Sequence, residues 1–430
     1  MDLLYWSRHF RNMPGEGDLD VLGFTRAVAA TGYNGVFSLE VFNDQFRGGS
    51  PKSISIDGYR SLVNLMDQVR RTEKDIQIAL PYIPDRAIVS GFEFIEFATD
   101  ENEGEELASI LHAFGFELVG KHISKEVHLW KQGDINIVIN TEREGFAHSS
   151  FLVHGTTVCD IGVRVDDAAA TVARAKAMAA RTFEQPVGLG ELKIPAIRGG
   201  GGVMHFIDSK SELARVWDIE FKPVSGKARA ADASLLRIDH IAQTVNFKDI
   251  LSWGLFYSAI FATHKTSMVD IADSAGLVGS QVIENADGSM RVTLNGSESQ
   301  HTLAGHFIAE SFGSAVQHTA FQSSNIFASA HALKSNGFNL LELSKNYYDD
   351  LAARFGLYTD FLEKLSSNQI LYDRDESGEF FQLYSQNFGE GFFCEIVECR
   401  GKYSGYGSAN AQFRIAAQKR SQRRSDMPKY

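Results

Sequence analysis

Residues 315–334 read AVQHTAFQSSNIFASAHALK, and residues 157–176 read TVCDIGVRVDDAAATVARAK. The two align without a gap, each an apolar strand-like run followed by a helical one, and a repeat of this kind governs how the rest of the chain is read. A second pair agrees with it: RIDHIAQT at 237–244 lies against GFEFIEFA at 91–98. Working outward through the first copy, Gly91–Phe97 alternates as a strand and Glu105–Phe114 is helical. Val127–Trp130 and Ile135–Ile139 are strands joined by the hairpin signal Lys131-Gln132-Gly133-Asp134. That is a βαβββ unit. Val158–Val163, the helix Ala168–Ala180 and strands ending at Val203–Ile207 make a second, and residues 235–418 repeat the pair. The glycine run 199–202 is a loop without a phosphate-binding context, because no helix follows it directly.

The repeat also isolates the chemistry. His240 sits in RIDHI, His318 in VQHTA and Glu395 in FFCEIV, each a strand-like apolar run where a polar side chain is poorly solvated unless something binds it. Two imidazoles and one carboxylate leave open coordination positions on a divalent metal. The separations, 78 residues from His240 to His318 and 77 from His318 to Glu395, each approximate one unit with insertions. In the first half Phe94 and Asp160 stand where the second has His240 and His318. A phenylalanine cannot ligate, so one metal site is expected, in the second half, and the first half is expected to be kept for packing and shape even though His205 ends it. Glu398 is the rival carboxylate, which strand alternation puts on the opposite face from Glu395. The other histidines, among them His112, His122, His128, His148, His154, His264, His301 and His331, read as surface or satisfied residues.

Residues 1–75 follow another order: Leu3–Trp6 as strand, Val21–Thr31 as helix with Gly32 as its C-cap, Gly35–Phe42 as a buried parallel-type strand, and Ile56–Val69 as helix. Two βα units are a fragment, since a closed (β/α)8 barrel needs about 200 residues or more. Glu40 lies near the C-terminal end of its strand, where such barrels place chemistry. Arg8 and His9, in the loop after the first strand, supply cations that suit an acidic substrate.

Composition bounds the partners. A net charge of −12 argues against nucleic acid and against an anionic membrane surface. The exception is the basic tail 419–430, read as a frayed, solvated end. Three cysteines, Cys159, Cys394 and Cys399, have no CxxC spacing and fit a reducing, cytoplasmic setting. No apolar run reaches 18 residues, and the first residues lack a signal peptide's apolar core.

Two resemblances complete the reading. The motifs SRHFRN, PGEGD, GYNG and SLEVFNDQF resemble the barrel of bacterial 3-dehydroshikimate dehydratases of the two-domain type. That resemblance implies that Glu40 is the last of several metal ligands, that the others lie on strands outside this chain, and that Met1 is an internal start or the chain is truncated. The motifs FEFIEFA, HLWKQGDINIVIN, RIDHI, DGSMRVTLN, VQHTAF, NQILYDRD, FFCEIVE and GYGSAN resemble 4-hydroxyphenylpyruvate dioxygenase, a vicinal-oxygen-chelate protein. This one implies a facial triad of His240, His318 and Glu395, the family's spacing to Gly401 selecting Glu395. It also implies Asn295 and Gln382 as pocket residues able to hydrogen-bond a ligand. The sequence departs from that pattern at His306, at Gly279 and along the C-terminal helix 411–418.

The fold expected is therefore α+β: four βαβββ modules preceded by the last two βα units of a TIM-type barrel. The domains are 1–75 (barrel fragment), 88–222 (metal-free half) and 235–418 (metal-binding half), with linkers at 76–87 and 223–234. The resemblance implies a metal-dependent lyase converting 3-dehydroshikimate to protocatechuate. The cofactor is a divalent cation (Mg, Mn, Co or Fe(II)), the substrate a small carboxylate, and a homo-oligomer is allowed. An Fe(II) oxygenase of a 2-oxo acid and a non-catalytic metal-stabilised assembly module stay open beside it.

Overall fold

The computed structural model describes residues 2–224 and 230–426. In the first half, β1 (Val89–Ala98), β2 (Glu117–His122), β3 (Val127–Gln132), β4 (Ile135–Asn140), β5 (Thr157–Val165), β6 (Thr182–Phe183), β7 (Ala196–Gly199), β8 (Gly202–Asp208) and β9 (Phe221–Pro223) form one sheet in the order β6-β7-β8-β5-β1-β4-β3-β2-β9. In the second half, β10 (Leu235–Thr244), β11 (Thr263–Lys265), β12 (Val269–Asp273), β13 (Gly276–Asn285), β14 (Arg291–Gly296), β15 (Ala315–Ser323), β16 (Leu371–Arg374), β17 (Gly378–Tyr384) and β18 (Phe393–Gly401) form another. Its order is β11-β13-β14-β10-β15-β18-β17-β16, with β12 against β13.

Each module runs the same way. A first strand at the sheet centre is followed by a helix that carries the chain to the edge, and a meander brings it back. The four helices are Glu101–Ala113, Ala168–Ala177, Ile250–Ile260 and Ile326–Ser335. The returning strand lies parallel to the first: β4 beside β1, β8 beside β5, β14 beside β10 and β18 beside β15. The two first strands of each half meet antiparallel, β1 on β5 and β10 on β15. The repeat preserves the helix start while changing the residue. Asp167 and its counterpart Asn325 both accept a hydrogen bond from the amide three residues on, satisfying a donor the first turn leaves unpaired. One apolar core runs through both halves, with Phe97 edge-on to Phe392, Phe114 to Phe321, and Phe206 against Phe261.

Residues 1–75 correct the expectation of barrel strands. Leu3–His9 is a helix, with Asp2 capping the Leu4 amide, and residues 35–42 form no strand. A parallel strand needs partners for its amides and carbonyls on both sides. Among the described residues none lies beside this segment, and Val36 stays 87% exposed. The remnant of pairing is a single bridge between Phe10 and Asn43, closed by Arg11 N to Phe42 O at 2.9 Å. The helix expected over Ile56–Val69 spans Pro51–Thr72 and is locked to the rest of the chain. Its buried Asp67 accepts from Arg174 Nη1 at 3.0 Å, while Arg174 Nε donates to Ala259 O at 2.7 Å.

Two boundaries also move. The segment 76–87 is no loose linker, because Ile83 and Ala87 are buried and Ala87 bridges to Phe261. The tail expected from 419 continues the helix Ser408–Asp426, in which Lys419 pairs with buried Asp273 and Arg420 donates to Glu342 O at 2.7 Å. Within the 223–234 linker, residues 225–229 lie outside the described residues, as do 427–430 in the tail.

Candidate metal centre

Strand register brings three distant residues onto one face of the second sheet. His240 on β10 lies across from Ala320, and Ala320 in turn lies beside Glu395 on β18. His318 is two residues before Ala320 on β15 and therefore shares its face. His240 Nε2 stands 3.2 Å from His318 Nε2 and 3.4 Å from Glu395 Oε2, and His318 Nε2 stands 3.3 Å from the same oxygen. Among the described residues this is the group whose ligand atoms converge as a metal site requires. A triangle of this size is one face of an octahedron with bonds of about 2.3 Å, in the range of divalent cations with oxygen and imidazole ligands.

The surroundings fix each donor. Asp239 Oδ2 lies 2.8 Å from His240 Nδ1, so that nitrogen donates its proton to the carboxylate and Nε2 keeps its lone pair for a metal. Arg291 Nη1 holds the same Asp239 oxygen at 3.0 Å. Glu395 is 2% exposed, and its Oε1 accepts from Gln382 Nε2 at 2.8 Å and from Tyr384 OH at 2.9 Å, which leaves Oε2 directed at the imidazoles. Gln382 is held by Asn410 of the C-terminal helix, whose Nδ2 donates to Gln382 Oε1 at 2.9 Å. The His318 ring stacks on Phe393 with centroids 4.7 Å apart.

Burial pulls all three groups toward their neutral forms, and their mutual contacts decide the outcome. For His240 burial lowers the pKa, but hydrogen bonds to Asp239 and Glu395 outweigh it and hold the ring up at about 9. For His318 burial prevails and drives it down to about 4. Burial would raise Glu395, yet its contacts with both imidazoles keep it well below the usual carboxylate range. The site thus presents an anionic oxygen and one ring held neutral, while His240 gives up a proton from Nε2 when an ion binds.

The other sequence-derived candidates fall elsewhere. Glu398 points to the opposite face, where Oε2 caps the amide of Ile326 at 2.7 Å. Asn295 is on β14 in register with Thr244, two residues along β10 from Ala242 on the metal-facing side. Gln382 departs from the role expected of it: its amide is committed to Glu395, Tyr384 and Asn410 and positions a ligand carboxylate. Arg8 and Glu40 are exposed, and His9 Nδ1 pairs with Asp44 at 2.8 Å, so these three are not gathered into a site. His306 is paired with Glu310 at the surface.

Asp239, Tyr384, Asn410 and Arg414 were not found from sequence. Asp239 adjoins His240, and regular alternation would send it to the other face. A bulge between Ile238 and His240 lets it reach the ring. Arg414 lies over the rings of Phe393 and Tyr384, 5.1 and 5.7 Å from their centroids.

Paired βαβββ modules in two sheets, with two imidazoles and a carboxylate converging on one of them, define a protein of the vicinal-oxygen-chelate class built like 4-hydroxyphenylpyruvate dioxygenase. The family profile described as hydroxyphenylpyruvate dioxygenase, HPPD, N-terminal matches residues 85–222. The chain is 40% identical over 424 residues to the 3-dehydroshikimate dehydratase of Pseudomonas putida, covering 97% of this chain and 66% of that protein. It is 39% identical over 433 residues to the protein of that name from Pseudomonas aeruginosa, covering 98% and 68%. A solved xylose isomerase-like TIM barrel/4-hydroxyphenylpyruvate dioxygenase fusion protein matches at 39% identity with a TM-score of 0.86, covering 97% of this chain and 67% of that one. The chain belongs to the 3-dehydroshikimate dehydratase family, in the form that joins a barrel to a dioxygenase-like region. It spans about two thirds of the length of these relatives. The dioxygenase-like region implies a divalent metal ion, and the converging donors fit one. No helix among the described residues is long and apolar enough to cross a membrane.

Proposed function

We propose that this chain is the C-terminal portion of a metal-dependent 3-dehydroshikimate dehydratase, and that His240, His318 and Glu395 hold a divalent ion of its own in the dioxygenase-like region. The observation that carries the first part is the identity of 40% sustained over 97% of the chain. In this reading the barrel removes water from 3-dehydroshikimate to give protocatechuate, in quinate and shikimate breakdown. Glu40 is then a barrel ligand, and Arg8 and His9 hold the acidic substrate. The ion favoured at the triad is Fe(II), the usual occupant of a two-histidine, one-carboxylate face with open positions. A divalent ion supplies Lewis acidity to a carbonyl oxygen. The chain's part is to aim Glu395 through Gln382 and Tyr384, to set the His240 tautomer through Asp239, and to offer the Arg414 cation to a substrate carboxylate. Three free cysteines support a cytoplasmic setting.

The test is chromatography of protocatechuate formed from 3-dehydroshikimate by this chain, and by this chain joined to the barrel segment its relatives carry. The joined protein dehydrates and the chain alone does not. His240→Ala in the joined protein lowers metal content and leaves dehydration in place. A joined protein inert on 3-dehydroshikimate sinks the proposal.

A second reading, oxygenation of a 2-oxo acid such as 4-hydroxyphenylpyruvate, is favoured by the donor set of two imidazoles and one carboxylate, with the Arg414 cation over the Phe393 ring that stacks on His318. It predicts oxygen uptake by iron-loaded protein that His240→Ala abolishes, and it is discarded if iron-loaded protein takes up no oxygen.

A further inference from the structure

The first half holds a cavity of about 520 Å³ on the sheet face that corresponds to the metal face of the second half. The correspondence is one of register. Phe94 lies across from Gly162, and Gly162 lies beside His205, as His240 lies across from Ala320 and Ala320 beside Glu395. Gly162 is required here, because a Cβ at that position would meet the Phe94 ring at 2.2 Å. The ring therefore covers the sheet where the second half has an imidazole. What remains is not a filled core. A volume of this size is that of a small-molecule site.

Its chemistry is acidic and aromatic. Six carboxylates line it, against one lysine, Lys125, and two imidazoles. Lys125 is already paired with Glu191 at 2.9 Å, and His122 lies 3.3 Å from Glu220. On the floor, Glu96 and Asp160 are direct partners across β1 and β5, so two carboxyl groups face each other on one side of the sheet, with Asn140 Nδ2 donating to Glu96 Oε1 at 2.7 Å. Burial and the neighbouring Asp160 push Glu96 up to about 7. His205 Nδ1 forms an ion pair with Asp160 Oδ2 at 2.5 Å; burial would lower the ring's pKa, but Asp160 outweighs it and holds the ring above its ordinary value. Asp160, 5% exposed, keeps Oδ1 without a hydrogen-bond partner. Phe94, Phe146, Phe183 and Trp217 supply the walls. At the rim the rings of Phe146 and Phe183 already attract a cation, since the Arg198 guanidinium lies 4.5 Å from each centroid.

We propose that this cavity is a binding site for a small organic cation, an aryl or alkyl ammonium whose charge is received by Asp160 and Glu96 and whose body lies against Phe94 and Trp217. A buried acceptor lacking a donor, two facing carboxylates and an aromatic wall call for a ligand that is positively charged, donates hydrogen bonds and is partly apolar. The proposal is independent of the metal centre and of the dehydration reaction.

The test is isothermal titration of the whole chain with benzylammonium, benzyl alcohol and benzoate, with EDTA present so that no metal ion substitutes for the amine. Benzylammonium binds, and the neutral and anionic analogues bind at least tenfold more weakly. Asp160→Asn and Glu96→Gln each weaken benzylammonium at least tenfold while His240→Ala has no effect. Glu96→Gln decides the matter should Asp160→Asn fail to fold. No heat with benzylammonium, equal or tighter binding of benzyl alcohol or benzoate, or affinity unchanged in a folded carboxylate variant overturns the proposal.

Discussion

Replacing Gln382 by leucine removes one of the two hydrogen bonds that hold Glu395 Oε1, at 2.8 Å, and leaves Tyr384 OH, at 2.9 Å, as the other. A hydrogen bond to a buried carboxylate contributes about 1.5–3 kcal/mol. If half of the restraint on the ligand is lost, the carboxylate can swing and metal affinity falls by about tenfold to a hundredfold, the range typical of groups that orient a ligand. The variant also strips Asn410 Nδ2 of its acceptor at a fully buried position, which costs about 1–3 kcal/mol of stability whether or not metal is bound. Two measurements separate the effects: competition of Mn(II) or Co(II) binding against a chelating dye, and urea unfolding in EDTA. Tyr384→Phe, which leaves Asn410 satisfied, should weaken metal binding with a smaller loss of stability. Wild-type metal affinity in a destabilised Gln382→Leu variant refutes the reasoning, because Gln382 would then serve packing alone.

Glu398→Gln should leave metal binding intact and lower stability by about 1–2 kcal/mol, since Glu398 caps the Ile326 amide and holds Arg400 Nε at 2.6 Å on the far face; urea midpoints and the dye titration check both halves of this statement. Asp67→Ala should destabilise by about 3–5 kcal/mol, because it strands the buried Arg174 guanidinium. Burial opposes ionisation of Asp67, but hydrogen bonds from Arg71, Arg174 and Arg70 prevail and hold its pKa below the ordinary value. Its contribution is therefore complete above about pH 4 and is lost as pH falls through the depressed value, so an acid-unfolding scan of Asp67→Asn should show a flatter acid limb than wild type.

The modules were legible because each carries its own period and each occurs more than once. Strand alternation, the hairpin at Lys131–Asp134 and the paired caps Asp167 and Asn325 are local signals that tertiary contacts reinforce. The barrel strands were not, because their apparent signal is a run of apolar residues, and such a run becomes a parallel strand only beside others. Without neighbours, the Asp2 cap on the Leu4 amide and the basic Arg8 and His9 in the last turn favour a helix. At the site, His240, His318 and Glu395 stood out because the duplicate lacks them. Their supports did not, since Tyr384 and Gln382 meet Glu395 only once β17 is set in register with β18. Asn410 arrives from a helix beyond the sheet, and Asp239 depends on a bulge.

The duplicate also bears on what the triad is for. The first half builds the same sheet with Phe94, Asp160 and His205 at the three positions that His240, His318 and Glu395 hold in the second, so the scaffold does not need an ion to form. Each strand of the second sheet is paired through its backbone, and Phe393 and Tyr384, which flank the donors, are themselves part of the apolar core. An ion there adds binding energy to the folded state, yet its absence removes no strand pairing and opens no core. EDTA-treated protein should therefore keep its far-ultraviolet circular dichroism and unfold in one step, at a midpoint that rises with added Mn(II) according to occupancy. A chelated protein that loses its secondary structure would instead make the ion a structural element that the second sheet needs in order to form.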